Sequence, residues 1–114
     1  MHELSLCQAI VDTVRHHADN RQLRRVNVRI GHLRQVVPES LLFSWEVITD
    51  GTDLAACELA IEQVAAVIKC RRCGAVTELD LPLFACPECE GHDVEVMSGE
   101  EFQIASLDLV EEVG

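Results

Sequence analysis

The chain has 114 residues and a formal net charge of −11, a size that suits one compact domain, or one small domain plus a module held together by a metal. Residues 1–35 hold six Lys/Arg against three acidic residues, whereas residues 36–114 hold three against seventeen. Because nucleic-acid binding normally depends on basic phosphate contacts, this balance argues against a nucleic-acid partner. No apolar run reaches the roughly 18 residues of a membrane-spanning helix, and residues 1–4 lack the basic region of a secretion signal. We therefore expect a cytoplasmic protein with no membrane partner.

The first half of the chain alternates helix and strand patterns. Apolar residues recur at helical spacing over residues 4–18, which predicts an amphipathic helix. Residues 26–31 alternate apolar and polar side chains and end in glycine, as is typical of a half-buried strand. A second helix should begin near Pro38, whose fixed φ suits a first helical turn, and stop by residues 50–51. Its apolar residues are expected to face the core rather than a partner: Leu41, Leu42, Phe43, Trp45 and Ile48.

The second half contains short strand patterns interrupted by the cysteines. Residues 57–62 predict a strand, and at residues 63–64 the alternation changes phase, which indicates that the chain leaves the sheet. Short strands are expected at residues 75–79 and 94–97, with turns at Gly74 and Gly91, and residues 102–109 should return to the first sheet. The predicted class is α+β, with two helices on a small mixed sheet and an inserted zinc-ribbon-like module. Its domains would be residues 1–66 together with 99–114, and residues 67–98.

Four cysteines form the strongest motif. Cys70-x-x-Cys73 and Cys86-x-x-Cys89 are separated by twelve residues. Each pair supplies two sulfurs from one tight turn, and four thiolates complete the tetrahedron that Zn(II) prefers. The alternative, two disulfides or four buried small residues, is disfavoured in the cytoplasm. A fully thiolate-ligated zinc leaves no position for water, so the site predicts a structural ion and not an enzyme.

The remaining cysteine features are secondary. Cys7 and Cys57 should be reduced core residues. Glu90 follows the second cysteine pair at a position where such turns often carry glycine, so a side chain there is expected to strain the turn unless Gly91 absorbs the strain.

The first residues offer a different donor set. With a free amino terminus, the Met1 amine, the amide nitrogen between Met1 and His2, and the His2 imidazole can chelate one ion. Square-planar nitrogen ligation with amide deprotonation favours Ni(II) or Cu(II) over zinc. Glu3, another side chain or water could complete the coordination, and the sequence does not choose among them. The other histidines are expected to be surface or loop residues: His16, His17, His32 and His92.

Residues 1–5 are Met-His-Glu-Leu-Ser, and residues 31–39 carry the pattern Gly-x-Leu-x-x-Val-x-Pro-Glu. Together with the cysteine quartet and residues 98–104, these segments resemble the HypA/HybF family of hydrogenase nickel-incorporation proteins. The cysteine quartet resembles its zinc site, and residues 98–104 resemble its return strand. The resemblance spans nearly the whole chain.

The resemblance implies a nickel metallochaperone. It implies that His2 binds nickel with Met1 and Glu3 beside it, and that the four cysteines bind zinc. It also implies work with a HypB-type GTPase, delivery to the large subunit of [NiFe] hydrogenase, and in some organisms service to urease through its accessory proteins. Residues 1–66 with 99–114 would then be the nickel-binding domain. Two alternatives are a zinc-ribbon module that binds nucleic acid or protein, and a metal-dependent hydrolase, for which no plausible nucleophile and base pair is found.

Overall fold

The computed structural model describes residues 2–19, 21–81 and 83–110, apart from the side chain of His2. The chain divides into two compact units. The first unit draws on residues 1–28, 36–62 and 103–114, and the second on residues 29–35 and 63–102. In the described part of the chain, neither helix has the length and apolar character needed to cross a membrane.

The elements follow the order predicted from the sequence, with one additional strand and one short 3-10 helix. They are α1 (His2–Ala18), β1 (Leu23–Gly31), the 3-10 helix (His32–Arg34), α2 (Pro38–Thr49), β2 (Glu58–Val64), β3 (Ala66–Cys70), β4 (Val76–Leu79), β5 (Val94–Ser98) and β6 (Phe102–Leu109). Pro38 begins α2 as expected, since its missing N–H would have no helical partner there. The predicted α+β class is therefore confirmed.

The strands form two three-stranded sheets. The first has the order β2-β1-β6, so the prediction that residues 102–109 return to the first sheet is confirmed. The second has the order β4-β3-β5, and β3 pairs antiparallel with both neighbours. The change of phase near residue 64 marks the end of β2, and β3 starts two residues later. The sequence pattern thus located the passage between the sheets.

The core of the first unit lies between the two helices and the first sheet. Ile10, Val14 and Val26 are almost fully buried there. Cys7 is also buried, and its Sγ donates to the carbonyl of Leu41 across the helix pair at 3.4 Å. Burial, with the nearby charge of Glu3, raises the pKa of Cys7 to about 11. Cys7 and Cys57 are both buried free thiols, as predicted.

The buried face of α2 is narrower than the sequence suggested. Leu41, Trp45 and Thr49 are buried at successive i, i+4 positions, and the Trp45 indole N–H donates to the carbonyl of Cys57 at 2.9 Å. The prediction for Leu42 and Phe43 was wrong, because their side chains are 40% and 67% exposed. They follow Leu41 by one and two residues, which rotates them by about 100° and 200° away from the core.

Two glycines in the second unit allow close backbone contact. The N–H of Gly31 donates to the carbonyl of Glu101 at 2.7 Å, and the N–H of Leu33 donates to the carbonyl of Gly99 at 2.8 Å. A Cβ at Gly31 would lie 2.0 Å from the Gly99 carbonyl carbon, and one at Gly99 would lie 2.7 Å from the Cα of Ala66. Only residues without a Cβ fit this crossing, which joins the end of β1 to the connection between β5 and β6.

Candidate metal centres

The four predicted zinc ligands converge in the second unit. One ligand atom from each of Cys70, Cys73, Cys86 and Cys89 lies within 4.8 Å of all the others. The Cys70 and Cys89 sulfurs are 3.6 Å apart, and those of Cys73 and Cys86 are 3.5 Å apart. A tetrahedron with zinc–sulfur bonds of about 2.3 Å has edges of roughly 3.8 Å. The sulfurs therefore have the number, chemistry and spacing that a zinc ion requires.

The two cysteine pairs, here the first knuckle (Cys70–Cys73) and the second knuckle (Cys86–Cys89), use the same turn. In the first, the Cys70 N–H donates to the carbonyl of Ala75 at 2.9 Å, and the Gly74 N–H donates to the carbonyl of Cys70 at 2.9 Å. The second knuckle repeats these bonds: the Cys86 N–H donates to the carbonyl of Gly91, and the Glu90 N–H donates to the carbonyl of Cys86, each at 2.8 Å. This repetition explains how two separate segments present sulfurs in matching geometry.

The residue after each knuckle adopts a left-handed backbone conformation. Gly74 has φ of 78°, and Glu90 at the equivalent position has φ of 61°. The expected strain therefore falls on Glu90 itself. Gly91 does not absorb it, because its φ is not positive.

Backbone hydrogen bonds and neighbouring sulfurs shift the pKa values of the cysteine thiols. The Cys73 N–H points at the Cys70 Sγ at 3.5 Å, and this hydrogen bond, followed by one from the Arg72 backbone, lowers the pKa of Cys70 to about 6. An Ala75 backbone hydrogen bond lowers the pKa of Cys73, but its contacts with the Cys86 and Cys70 sulfurs outweigh this and raise the pKa to about 12. The lowered pKa of Cys70 favours its thiolate form, and a divalent cation would displace the protons that the raised pKa values of Cys73 and Cys89 favour.

Of the predicted nickel ligands, only Glu3 can be located. Met1 and the side chain of His2 lie outside the described residues. Glu3 is half-buried in the first turn of α1, where it lines a groove with Glu39, Ser40, Phe43 and Ser44. No sequence motif connects Glu39 with Glu3. The available signal is that each occupies the first turn of a predicted helix, a preferred position for acidic residues.

The remaining histidines take no part in the four-cysteine cluster. His16 and His17 are exposed near the end of α1, with ring centroids 5.4 Å apart. His32 and His92 are also exposed. These placements agree with the surface positions predicted for them.

The fold and the four-thiolate cluster define a small α+β metal-binding protein. A comparison with family models finds that residues 1–109 match the family described as "Hydrogenase/urease nickel incorporation, metallochaperone, hypA". The chain therefore belongs to the HypA family. The prediction of a nickel metallochaperone that acts in hydrogenase maturation is confirmed.

Individual relatives agree along the full length. The chain is 36% identical to the hydrogenase maturation factor HypA of Desulfosudis oleivorans, across 97% of this chain and 100% of the relative. It is 40% identical to the hydrogenase maturation factor HypA of Chlorobium limicola, across 97% of this chain and 98% of the relative.

Solved structures support the fold. The solution structure of the Ni metallochaperone HypA from Helicobacter pylori has a TM-score of 0.66 to this chain at 20% identity, covering 96% of this chain and 98% of that one. A second solution structure of a HypA protein gives a TM-score of 0.68 at 22% identity, with 98% of each chain covered.

Proposed function

We propose that this chain carries nickel at its amino terminus, with His2 as the central ligand and Met1 and Glu3 beside it. The observation that supports this assignment is the closed geometry of the four-cysteine cluster. Four mutually adjacent sulfurs satisfy a tetrahedral ion completely. A delivered ion needs ligands that can be exchanged, so the cargo belongs at another set of donors.

The amino terminus has suitable chemistry. Its amine, the following amide nitrogen and the His2 imidazole are the nitrogen donors that Ni(II) prefers in planar geometry. Glu3 lines the groove that also contains Glu39, and two carboxylates there favour the approach of a cation. Nickel binding displaces protons from the amine, imidazole and amide, so affinity should decrease as the pH falls.

The zinc ion is proposed as a structural component held by Cys70, Cys73, Cys86 and Cys89. A bound zinc supplies folding free energy to the small module that surrounds it. We assign the zinc-binding domain to residues 67–98 and the nickel-binding domain to residues 1–66 with 99–114. The closed thiolate shell argues for a carrier and not an enzyme.

The proposed setting is the cytoplasm, without a nucleic-acid or membrane partner. A HypB-type GTPase and the large subunit of [NiFe] hydrogenase are the proposed partners, with urease accessory proteins as a further set where urease is present. The acidic composition of the chain is consistent with protein partners and unfavourable for polyanions.

The first experiment replaces His2 by Ala in untagged protein and measures nickel affinity by calorimetry and metal content by mass spectrometry. We expect nickel binding to weaken by about a hundredfold or more, because one ligand and the chelate rings that depend on it are lost. Zinc content should not change. A second variant, with residues added before Met1, should behave in the same way, because the extension removes the free amine.

His16→Ala is the matched control, since it removes an exposed imidazole from the same helix. Nickel affinity in this variant should equal that of the wild type. If the His2→Ala and extended proteins also bind nickel as the wild type does, the amino-terminal assignment is wrong.

A further inference from the structure

The outer face of α2 has an unusual combination of exposed apolar and acidic side chains. Phe43 and Val47 are 67% and 54% exposed, and Leu42 beside them is 40% exposed. Large apolar side chains that cluster on the surface commonly mark an interaction site. The core of this unit does not use them, because Leu41 and Trp45 occupy the buried face of the same helix.

The charges around this face have one sign. Residues 36–62 contain no Lys or Arg, and their acidic residues include Glu39, Glu46 and Asp50 on or beside α2. Two other carboxylates of this stretch are neutralised, Asp53 by Arg15 and Glu58 by Arg25. Within the described residues the carboxylates of Glu39, Glu46 and Asp50 form no ion pair. They therefore flank the apolar side chains with unneutralised negative charge.

The exposed side chains of α2 form two parallel rows along the helix. Glu39, Phe43 and Val47 form one i, i+4 row, and Leu42, Glu46 and Asp50 form the adjacent row. Such rows are the ridges that interdigitate with those of a second helix. Grooves border the face on both sides, one where Phe43 meets Glu3 and one where Leu42 and Glu46 meet the start of β2.

We infer that this surface, the α2 face formed by Leu42, Phe43, Glu46, Val47 and Asp50, docks an amphipathic helix of the protein that exchanges nickel with this chain. The partner helix would carry an apolar stripe bordered by Lys and Arg, which complements both the apolar row and the acidic flanks. A second copy of the chain fits poorly, because a two-fold contact would bring two copies of the same acidic surface together, with no Lys or Arg on α2 to neutralise it.

This inference rests on the proposed function and adds a location to it. Phe43 and Glu3 line the same groove, so a helix on the α2 face would lie beside Glu3, which is one of the proposed nickel ligands. Docking would then place the donor or acceptor protein near the ion at the moment of transfer.

The test measures binding of the untagged full-length chain to the purified partner GTPase and, separately, to the hydrogenase large-subunit precursor, by calorimetry at low and high salt. Two double variants test the two parts of the surface separately. The first combines Phe43→Ser with Val47→Ser and alters the apolar row. The second combines Glu46→Lys with Asp50→Lys and alters the acidic flank. Each should weaken binding to at least one of these proteins by about tenfold or more. The charge variant should also lose the salt dependence.

Val76→Ser is the matched control, since Val76 is 65% exposed on β4 in the other unit. Its binding should equal that of the wild type. Should the apolar variant fail to fold by circular dichroism, the charge variant, which alters only exposed side chains, decides the result.

Four outcomes would overturn the inference: unchanged binding in the folded variants, no binding of the wild type to either protein, an equal loss in Val76→Ser, or a wild-type dimer that the α2 substitutions dissociate. Nickel content is measured on the same samples. The α2 variants should keep their nickel, and the His2→Ala variant should keep its binding to the partner protein. Failure of the docking inference can therefore be distinguished from failure of the nickel assignment.

Discussion

Glu90 is an L-residue in a backbone conformation that favours glycine. Its φ is 61°, and the equivalent residue of the first knuckle is Gly74, with φ of 78°. The two turns have the same hydrogen bonds, so the chain contains an internal comparison of Gly and Glu at one structural position. A left-handed conformation costs an L-residue about 1–2 kcal/mol, which the second knuckle must offset.

Glu90→Gly should therefore stabilise the second knuckle by roughly 0.5–1 kcal/mol, since relief of strain exceeds the added entropy of an unfolded glycine. Zinc affinity should rise correspondingly, by about two- to fivefold, because zinc binding and folding of the module are coupled. Competition with a chromophoric chelator measures this change.

Gly74→Ala is the reciprocal variant. A Cβ at Gly74 would meet no atom within 4 Å, so its cost arises from the backbone alone and zinc affinity should fall. A decrease in affinity for Glu90→Gly, or no change in both variants, would contradict the strain argument.

At the level of elements, the sequence predicted features that depend on neighbouring residues and did not predict features that depend on long-range contacts. The α1 helix and the β1 strand were predicted because helical and alternating periodicities are properties of adjacent residues. The order of the strands within each sheet, β2-β1-β6 and β4-β3-β5, could not be predicted, since strand pairing depends on residues far apart in the chain. Leu42 and Phe43 were misplaced because an apolar residue on a helix indicates burial only when its face is known.

The same distinction applies to the candidate sites. Cysteine spacing predicted the zinc cluster, whose sulfurs do converge, because each knuckle is a local turn. The groove that contains Glu3 and Glu39 was not predicted, since it requires the packing of two helices that are separated by β1 in the chain.

The crossing of β1 with the β5–β6 connection gives a prediction at this scale. Gly31→Ala would place a Cβ 2.0 Å from the Gly99 backbone, and a backbone neighbour cannot move aside as a flexible side chain can. We expect the variant to lose about 3 kcal/mol or more of folding free energy, measured by urea denaturation.

Gly51→Ala provides the control. Gly51 has a positive φ of 74°, but a Cβ there would meet nothing within 4 Å, so the substitution should cost about 1 kcal/mol. Equal losses in the two variants would contradict the close-approach argument, because the backbone of Gly31 is extended, with φ of −73°, and makes no conformational demand for glycine.

For the whole molecule, the distribution of buried side chains predicts unequal dependence on zinc. The first unit buries large apolar residues from both helices and the first sheet, including Ile10, Val14 and Leu41. In the described part of residues 63–102 the buried apolar residues are few: Ala66, Ile68, Cys70 and Cys86. The two cysteines among them are proposed zinc ligands, so loss of the ion should remove much of what holds that segment together.

We therefore expect a Cys73→Ser variant, or treatment with a strong chelator, to unfold part of the chain selectively. Amide protection should fall in β4 and β5, whereas helical circular dichroism should persist because α1 and α2 belong to the other unit. Hydrogen exchange followed by mass spectrometry resolves the two regions. Cys57→Ala is the matched control, because it removes a buried cysteine outside the cluster and should keep its bound zinc. Simultaneous loss of helix and strand protection on zinc removal would instead mean that the chain folds as one cooperative unit, and the division of stability between core and metal would be wrong.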